Sequence, residues 1–226
     1  MTVSVEIAER WRTAYPGAHI GILAMRDVRN PASCEGLERE KAALEARLHT
    51  RYADLDRAGI KALPVIEAYN AYYKPFRKTY HVQHQLESVV LKGRSIVSTA
   101  PLVEAMFMAE LEHLLLTAGH DLDVVQSPLT VDIACGSETY VGIRGEELLL
   151  KSDDMAIADA KGVLSSIIYG PDRRTQIRPE TRRVLFTVYA PADINAGAVE
   201  AHLDSLQTYV RIVAPEATTD LLAVYA

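Results

Sequence analysis

Two stretches of the sequence concentrate positive charge in a chain whose formal net charge is -6. Residues 171–183 hold five arginines against two acids, and residues 74–94 hold five basic residues against Glu87 alone. Clustered arginines and lysines bind carboxylates, carbonyls or phosphates, so the pattern favours a local anion site over a surface that coats DNA. The alternative is a solvated charged surface, which charge runs commonly form.

The histidines raise the possibility of a metal site. His81 and His84 form an H-x-x-H pair that can face one side of a helix, and His113 and His120 follow. Neither an H-E-x-x-H motif nor a cysteine pair with ligand spacing accompanies them. We therefore expect no metal and no other cofactor, and we expect these histidines to face solvent or phosphate.

Aromatic residues interleave with the first basic stretch, at Tyr69, Tyr72, Tyr73, Phe76 and Tyr80. Alternating aromatic and basic side chains can stack on and clamp single-stranded RNA. Spacings of three and four residues are also typical of a buried helix face, so we expect at least two of these rings to lie in the core.

The elements that position these residues are mostly helices in the first half and strands in the second. Helical periodicity predicts six helices, at residues 6–15, 34–56, 63–73, 82–93, 101–116 and 194–213. Short apolar strands separated by glycine turns fill residues 126–190, and a buried strand is expected at 18–28. The fold class is therefore α+β, and we expect these strands to form one sheet flanked by the helices at 35–57 and 101–116.

The composition is that of an ordinary globular protein. The chain has 226 residues, of which 49% are hydrophobic and 24% charged, a size that suits one domain. No apolar run approaches the roughly 20 residues that span a bilayer, and the start lacks a secretory signal, so we expect a cytoplasmic protein. Cys34 and Cys135 are spaced for neither a disulfide framework nor a zinc site, and we expect both to be reduced.

Three segments, by their order and spacing, resemble one known family. They are FRKTYHVQHQLESVVLKGRSIVSTAPLVEAMFMAELE, GHDLD and RRTQIRPETRRVLF. The set is similar to the B3/4 domain, the editing module of the bacterial phenylalanyl-tRNA synthetase β subunit, which also occurs as free-standing proteins. The similarity covers roughly residues 10–210, so residues 1–226 are expected to form a single domain with two lobes. It implies two interleaved αβ halves around a shared sheet with a pocket between them, and a chain that is not a complete phenylalanine-tRNA ligase.

The resemblance also implies where the pocket lies. In the synthetase this pocket hydrolyses tyrosine wrongly esterified to tRNA. Carried over by position, the pocket draws on residues 98–101, 118–123, 163–170 and 170–175. We expect the largest cavity of the molecule to lie between residues 98–101, 119–121 and 170–175. The synthetase has a histidine three residues before the aspartate of its HAFD segment, whereas this chain has Ala118 there and His120 next to Asp121. The synthetase has a glutamate after a Gly-Gly pair, where the nearest acid here is Asp172.

Hydrolysis of an aminoacyl ester requires a positioned water, donors for the developing oxyanion and a partner for the ammonium group. The resemblance implies catalytic roles for Asp172, Arg173, Arg174 and Thr175, with Asp172 or Glu104 as the ammonium partner. The implied substrate-binding residues are Thr99, Glu104, His120, Asp121, Ser165 and Ser166. The basic stretch at 74–94 supplies the predicted RNA-binding residues, which are Lys74, Arg77, Lys78, Lys92 and Arg94. The structural alternatives are surface ion pairs for the arginines, a turn for Asp121, and cross-sheet hydrogen bonds for the two serines, which have no base visible in the sequence.

Three functions remain open at the level of sequence. The first is a free-standing editing enzyme that hydrolyses mischarged aminoacyl-tRNA in trans. The second is a non-catalytic tRNA- or RNA-binding protein, favoured by Ala118. The third is a small-molecule hydrolase or amino-acid binder without RNA binding, favoured by a pI of 5.7. The expected partner is tRNA at its aminoacylated acceptor end, with neither DNA nor a membrane, and the sequence leaves the oligomeric state open.

Overall fold

A computed structural model describes residues 3–226 of the chain. The helices are α1 (Glu9–Ala14), α2 (Glu35–Arg51), α3 (Arg57–Lys61), α4 (Pro64–Tyr73), α5 (His81–Val90), α6 (Pro101–His113) and α7 (Ala196–Val213). The strands are β1 (Val5–Ile7), β2 (His19–Arg26), β3 (Leu116–Asp121), β4 (Leu129–Ile133), β5 (Thr139–Val141), β6 (Glu147–Leu149), β7 (Met155–Asp159), β8 (Gly162–Ser166), β9 (Gly170–Pro171), β10 (Arg183–Ala190) and β11 (Thr218–Tyr225).

The strands form two main sheets and one small hairpin. One sheet has the order β11-β2-β10-β3, and all of its neighbouring strands are antiparallel. The other has the order β1-β4-β7-β8-β9, in which only β1 and β4 are parallel. Strands β5 and β6 pair with each other. The α+β fold class is thus confirmed.

The prediction of a single sheet is wrong. Strands β2 and β10 belong to one sheet, whereas β4, β7 and β8 belong to the other. The two sheets meet through side chains: the hydroxyl groups of Ser165 in β8 and Tyr189 in β10 lie 2.7 Å apart. Helices α6 and α7 pack against the β2 sheet. The partners of a strand can lie far away in the sequence, so the pattern of a strand does not reveal which sheet it joins.

The predicted helix at 101–116 ends earlier than expected. Helix α6 stops at His113 because Leu114 adopts a left-handed backbone conformation with φ of 60°. Strand β3 begins two residues later and pairs with β10 from Leu116 to Asp121. A residue in the left-handed conformation often ends a helix, but it is usually glycine or asparagine. Because a leucine occupies this position, the sequence did not indicate the end of the helix.

Two further strands were not predicted. Strand β1 covers three residues at the start of the chain and pairs with β4, which lies more than 100 residues away in the sequence. Strand β11 follows the last helix and completes the edge of the β2 sheet. Both owe their conformation to distant partners, which local sequence patterns do not encode.

One continuous hydrophobic core includes side chains of both main sheets. Leu23 and Phe186 of the first sheet belong to it together with Val131 and Ile157 of the second, and all four are fully buried. Within residues 3–226, no helix combines the length and the apolar character needed to cross a bilayer.

Candidate functional site

Helix α6 forms one wall of a partly enclosed cavity between the two sheets. Its start is well defined, because Pro101 occupies the first turn, where a backbone N–H has no partner to lose. Residues at spacings of three and four share one face of a helix. The cavity face of α6 consists of Val103, Met106, Phe107 and Glu110, preceded by Thr99 and Ala100.

The other walls come from α5, from β3 and β10, and from the segments around β5 and β9. Their lining residues are His81, Gln85, Leu116, Thr117, Ala118, Gly119, Ile143, Arg144, Ser166, Ile167, Ile168, Tyr169, Gly170, Pro171, Gln176, Ile177 and Tyr189. The cavity has a volume of about 600 Å³. This size and a mostly apolar wall with a few polar groups are typical of small-molecule sites.

The predicted convergence of three stretches on this cavity is confirmed. The 98–101 stretch contributes Thr99, the 119–121 stretch contributes Gly119, and the 170–175 stretch contributes Gly170 and Pro171. The prediction that this is the largest cavity is wrong. An open groove beside α3, α4 and α5 has a volume of about 1080 Å³.

Among the described residues, Glu110 is the one acid in the cavity wall, and it is almost fully buried, with 1% of its surface exposed. Its Oε1 accepts a hydrogen bond from the backbone N–H of Thr117 at 2.8 Å. Its Oε2 has no hydrogen-bond partner within residues 3–226. Burial raises the pKa of the carboxyl group to about 8, and the Thr117 N–H only partly opposes this shift. The group is therefore mostly neutral at pH 7.

Two side chains that contain nitrogen, one a base and the other a cation, lie in the same wall. His81, at the start of α5, is exposed as a residue, and desolvation by the surrounding protein together with repulsion from His84 lowers its pKa. A neutral imidazole can accept a proton from water. Arg144 is exposed at the rim, and no acid among the described residues pairs with it. The cavity therefore combines a neutral base, a neutral acid and an unpaired cation.

A second polar cluster lies behind the cavity, in the interior. His120 is fully buried, with Nδ1 2.8 Å from Thr175 Oγ1 and Nε2 3.1 Å from Ser165 Oγ. Ser165 therefore has a base that its sequence neighbours did not reveal. Burial lowers the pKa of His120 to about 3, with a further contribution from the charge of Arg174. Neither His120 nor Ser165 lines the cavity, and their hydrogen bonds match the structural alternative for the serine.

The two neighbouring arginines have different surroundings. The guanidinium of Arg174 contacts Asp159 through two bonds of 2.9 and 3.1 Å and approaches Asp172 at 3.4 Å. Asp172 in turn accepts hydrogen bonds from the N–H and the hydroxyl of Thr175. Arg173 is exposed and forms no ion pair within residues 3–226. Neither arginine lines the cavity, nor do Asp172 and Thr175, and the catalytic role of the four stays a prediction.

The remaining predicted substrate-binding residues divide into two groups. Thr99 and Ser166 lie in the cavity wall. Glu104 is buried against Lys41, with Oε1 2.6 Å from Nζ. Asp121 accepts hydrogen bonds from the Asp123 N–H at 3.0 Å and from Thr181 Oγ1 at 2.8 Å, which is the turn geometry that its sequence suggested. The cavity wall therefore contains neither Glu104 nor Asp121.

The predicted RNA-binding residues are partly brought together. The large open groove, called the basic groove below, is lined by Arg57, Lys61, Lys74, Arg77 and Lys78 on a floor that includes Asn70, Gln83 and His84. Arg94 lines a smaller cavity of about 390 Å³. Lys92 is exposed and lines none of these three cavities.

The aromatic residues beside the basic groove are in the core. Tyr69, Tyr72, Tyr73, Phe76 and Tyr80 are all buried, and Tyr69 stacks on Tyr80 with ring centroids 4.0 Å apart. The expectation that at least two of them are core residues is confirmed. Such buried rings offer RNA bases little surface on which to stack.

Metal binding has no structural support in the described part of the chain. His81 and His84 share one end of α5, but no group of three or more His, Cys, Asp or Glu side chains in residues 3–226 could hold a metal ion.

Sequence reasoning missed Glu110 and Arg144. The available indication for Glu110 was an acid within an otherwise apolar helix face, at the i+3, i+4 spacing of Val103, Met106 and Phe107. Arg144 follows Ile143 and lies outside both basic stretches, so its position at the rim depends on the fold.

The chain is similar to part of a larger enzyme subunit. A family model described as the B3/4 domain matches residues 74–224. Over 78 residues the chain is 36% identical to the phenylalanine-tRNA ligase beta subunit of Tropheryma whipplei (strain Twist), which is 34% of this chain and 8% of that protein. The crystal structure of an N-terminal fragment of the phenylalanyl-tRNA synthetase beta subunit from Pyrococcus horikoshii shares the fold, with a TM-score of 0.51 and 12% identity. That alignment covers 100% of this chain and 55% of the fragment.

Proposed function

Because the chain belongs to the B3/4 domain family, we propose that it binds the acceptor end of an aminoacyl-tRNA and hydrolyses the aminoacyl ester in trans. The aminoacyl group would occupy the 600 Å³ cavity, and the RNA backbone would follow the basic groove. The tRNA partner is suggested by the relatives, whose names describe subunits of a ligase that charges tRNA.

The observation that carries this proposal is the continuity between the groove and the cavity. His84 lines both the basic groove and the 390 Å³ cavity, and His81 lines both that cavity and the candidate site. One turn of α5 therefore separates a cationic surface from a partly enclosed apolar site. A polyanion with an esterified end has the matching distribution of chemistry.

The cavity wall supports a simple hydrolytic route. A water molecule attacks the ester carbonyl carbon, the bond from that carbon to the ribose oxygen breaks, and the ribose leaves as an alcohol. His81, neutral because its pKa is lowered, would accept the proton of the water and return it to the leaving oxygen. Thr99 and Ser166 are hydroxyl donors in the wall that could stabilise the oxyanion.

A panel of aminoacyl-tRNAs, including correctly charged and mischarged species, tests the proposal directly. We expect hydrolysis of at least one species above the spontaneous rate, and a loss of about a hundredfold in His81→Ala, as for removal of a general base. His49→Ala is the matched control, because His49 is an exposed histidine on α2 that lines none of the three cavities.

Binding without catalysis is the second candidate. It is favoured by Ala118, which lies in the cavity wall where the resemblance led us to expect a histidine, and by the complete burial of the nearby His120. Salt-dependent binding of tRNA with no hydrolysis of any species would select this candidate and reject the first.

A further inference from the structure

Only one of the two carboxyl oxygens of Glu110 has a hydrogen-bond partner among the described residues. Its Oε1 is held by the Thr117 backbone N–H at 2.8 Å. Its Oε2 is buried and has no partner among the described residues, although the side chain lines the cavity. A buried polar atom without a partner is unfavourable, and native proteins rarely keep one unless a ligand or an ion supplies the partner.

The other acids near the cavity are already occupied. Glu104 pairs with Lys41 at 2.6 Å, and Asp172 pairs with Arg174 at 3.4 Å. Neither of them lines the cavity. Glu110 is thus the acid that borders the cavity, and no cation of the protein pairs with it within 4 Å in the described part of the chain.

We propose that Glu110 anchors the primary ammonium group of the ligand in this cavity. The identity of the ligand, an aminoacyl group, rests on the proposed function. An ammonium group carries three N–H donors and a positive charge. It would supply the missing partner of Oε2 and would form a charge-assisted hydrogen bond in a site of low dielectric, where such bonds are strongest.

Binding of the ammonium group should be coupled to the loss of one proton from Glu110. Free Glu110 is protonated near neutral pH, since burial raises its pKa to about 8. An incoming ammonium ion favours the carboxylate, so the carboxyl proton leaves to solvent and an ion pair remains. The titratable groups near Glu110 are Tyr69 and Tyr73 of α4 and Tyr80 before α5, and His81 and Arg144 share the cavity wall. The three tyrosines keep their protons at neutral pH because their pKa values are raised.

Two matched probes test the proposal without any hydrolysis. One is an aminoacyl adenosine in which an amide replaces the ester, and the other is the same molecule without the α-amino group. Calorimetric titrations at pH 6.5, where the amine is protonated, are run in two buffers that differ in ionisation enthalpy. We expect the ammonium probe to bind about tenfold tighter or more and to release about one proton to the buffer.

Glu110→Gln keeps the shape of the neutral carboxyl group but cannot ionise. It should bind the two probes equally and release no proton. Glu112→Gln is the control, because Glu112 is on the same helix but does not line the cavity, and it should behave as the wild type does. Proton release by the wild type needs no variant, so a folding defect in Glu110→Gln would not prevent the test.

The outcomes separate this inference from the proposed function. Equal binding of the two probes by the wild type, binding of neither probe, or proton release in Glu110→Gln would overturn the role of Glu110. If aminoacyl-tRNA is hydrolysed while the wild type binds both probes equally, the inference alone fails. If no aminoacyl-tRNA is hydrolysed while the ammonium preference is present and is lost in Glu110→Gln, the proposed function fails and Glu110 is the anchor of an amine site.

Discussion

At the scale of single residues, burial shifts the pKa values of buried acids and buried histidines in opposite directions. The pKa of Glu110 rises to about 8, whereas the pKa values of His120 and His202 fall to about 3. In each case desolvation is the largest cause, because it disfavours the charged form. All three groups are therefore mostly uncharged at neutral pH, which makes the interior stable only within a limited range of pH.

The pH dependence of stability should identify the Glu110 carboxyl group. Its pKa of about 8 in the folded protein lies above its ordinary value of 4.5. The resulting stabilisation is complete below the ordinary value and is lost as the pH rises towards 8. We therefore expect Glu110→Gln to gain stability relative to the wild type between pH 5 and pH 8, by up to about 1.4 kcal/mol per pH unit. Urea unfolding at several pH values measures this difference.

Glu112→Gln, on the same helix, serves as the control for loss of one acid and should keep the wild-type dependence on pH. Parallel curves for the wild type and Glu110→Gln over this range would show that the carboxyl group is ionised in the folded protein.

Substitution of Arg173 and of Arg174, one at a time, distinguishes a structural role of these arginines from a catalytic one. Arg174→Ala would leave Asp159, whose side chain is fully buried, with only backbone N–H partners. We expect it to lower the free energy of unfolding by about 1–3 kcal/mol. Arg173→Ala should change it by less than about 0.5 kcal/mol, because Arg173 is exposed.

If the sequence-based prediction of catalysis is right instead, either substitution should lower turnover by about a hundredfold at an unchanged unfolding midpoint. Unfolding and hydrolysis measured on the same preparations distinguish the two roles.

At the scale of elements, close packing of α7 against β2 depends on the absence of a side chain at Gly21. A Cβ atom added at Gly21 would lie 2.6 Å from Val199 Cγ1 and 3.1 Å from Val188 Cβ. Both neighbours are β-branched and fully buried, so they have few alternative rotamers.

Gly21→Ala should therefore lower the free energy of unfolding by about 1–3 kcal/mol, as for other overpacked cores. Gly197→Ala is the control, because an added Cβ in the first turn of α7 meets nothing closer than 3.4 Å. It should be neutral or stabilising by up to about 1 kcal/mol. Equal urea midpoints for the two variants would contradict the close packing of α7 on β2.

At the scale of the whole molecule, the proposed function needs two surfaces that different elements supply. Helices α3, α4 and α5 hold the basic groove, whereas α6 and both sheets enclose the cavity. The acidic net charge of -6 does not prevent RNA binding if the basic side chains are concentrated where the backbone passes.

The combined variant Lys74→Ala, Arg77→Ala and Lys78→Ala tests the groove. We expect weaker tRNA binding and a smaller slope of log affinity against log salt concentration. The slope should fall by about one for each phosphate that the variant no longer neutralises. Binding titrations of tRNA at several salt concentrations give both quantities.

A variant with three exposed basic residues outside the groove, Arg29→Ala, Arg39→Ala and Lys161→Ala, controls for net charge. Equal salt slopes for the two triple variants would exclude the groove as the RNA-binding surface.

The sequence alone determined the fold class, most of the helices and the family resemblance. Amphipathic periodicity located α2, α4, α5 and α7, and the order of three segments pointed to the B3/4 domain. These features are local or depend only on order along the chain, so no knowledge of distant contacts was needed. The stretches that the resemblance assigned to the pocket also located the cavity, through Thr99, Gly119 and Gly170.

Only the tertiary structure decided how the strands pair and which side chains line the site. The separation into two sheets, and the strands β1, β3 and β11, depend on partners that are distant in the sequence. For the same reason Glu104 and Asp172, predicted as ammonium partners, are paired with Lys41 and Arg174, whereas Glu110 keeps a free oxygen in the cavity wall. The sequence specifies which side chains can ionise, but the packing around each one decides which of them has a partner and which is free to bind a ligand.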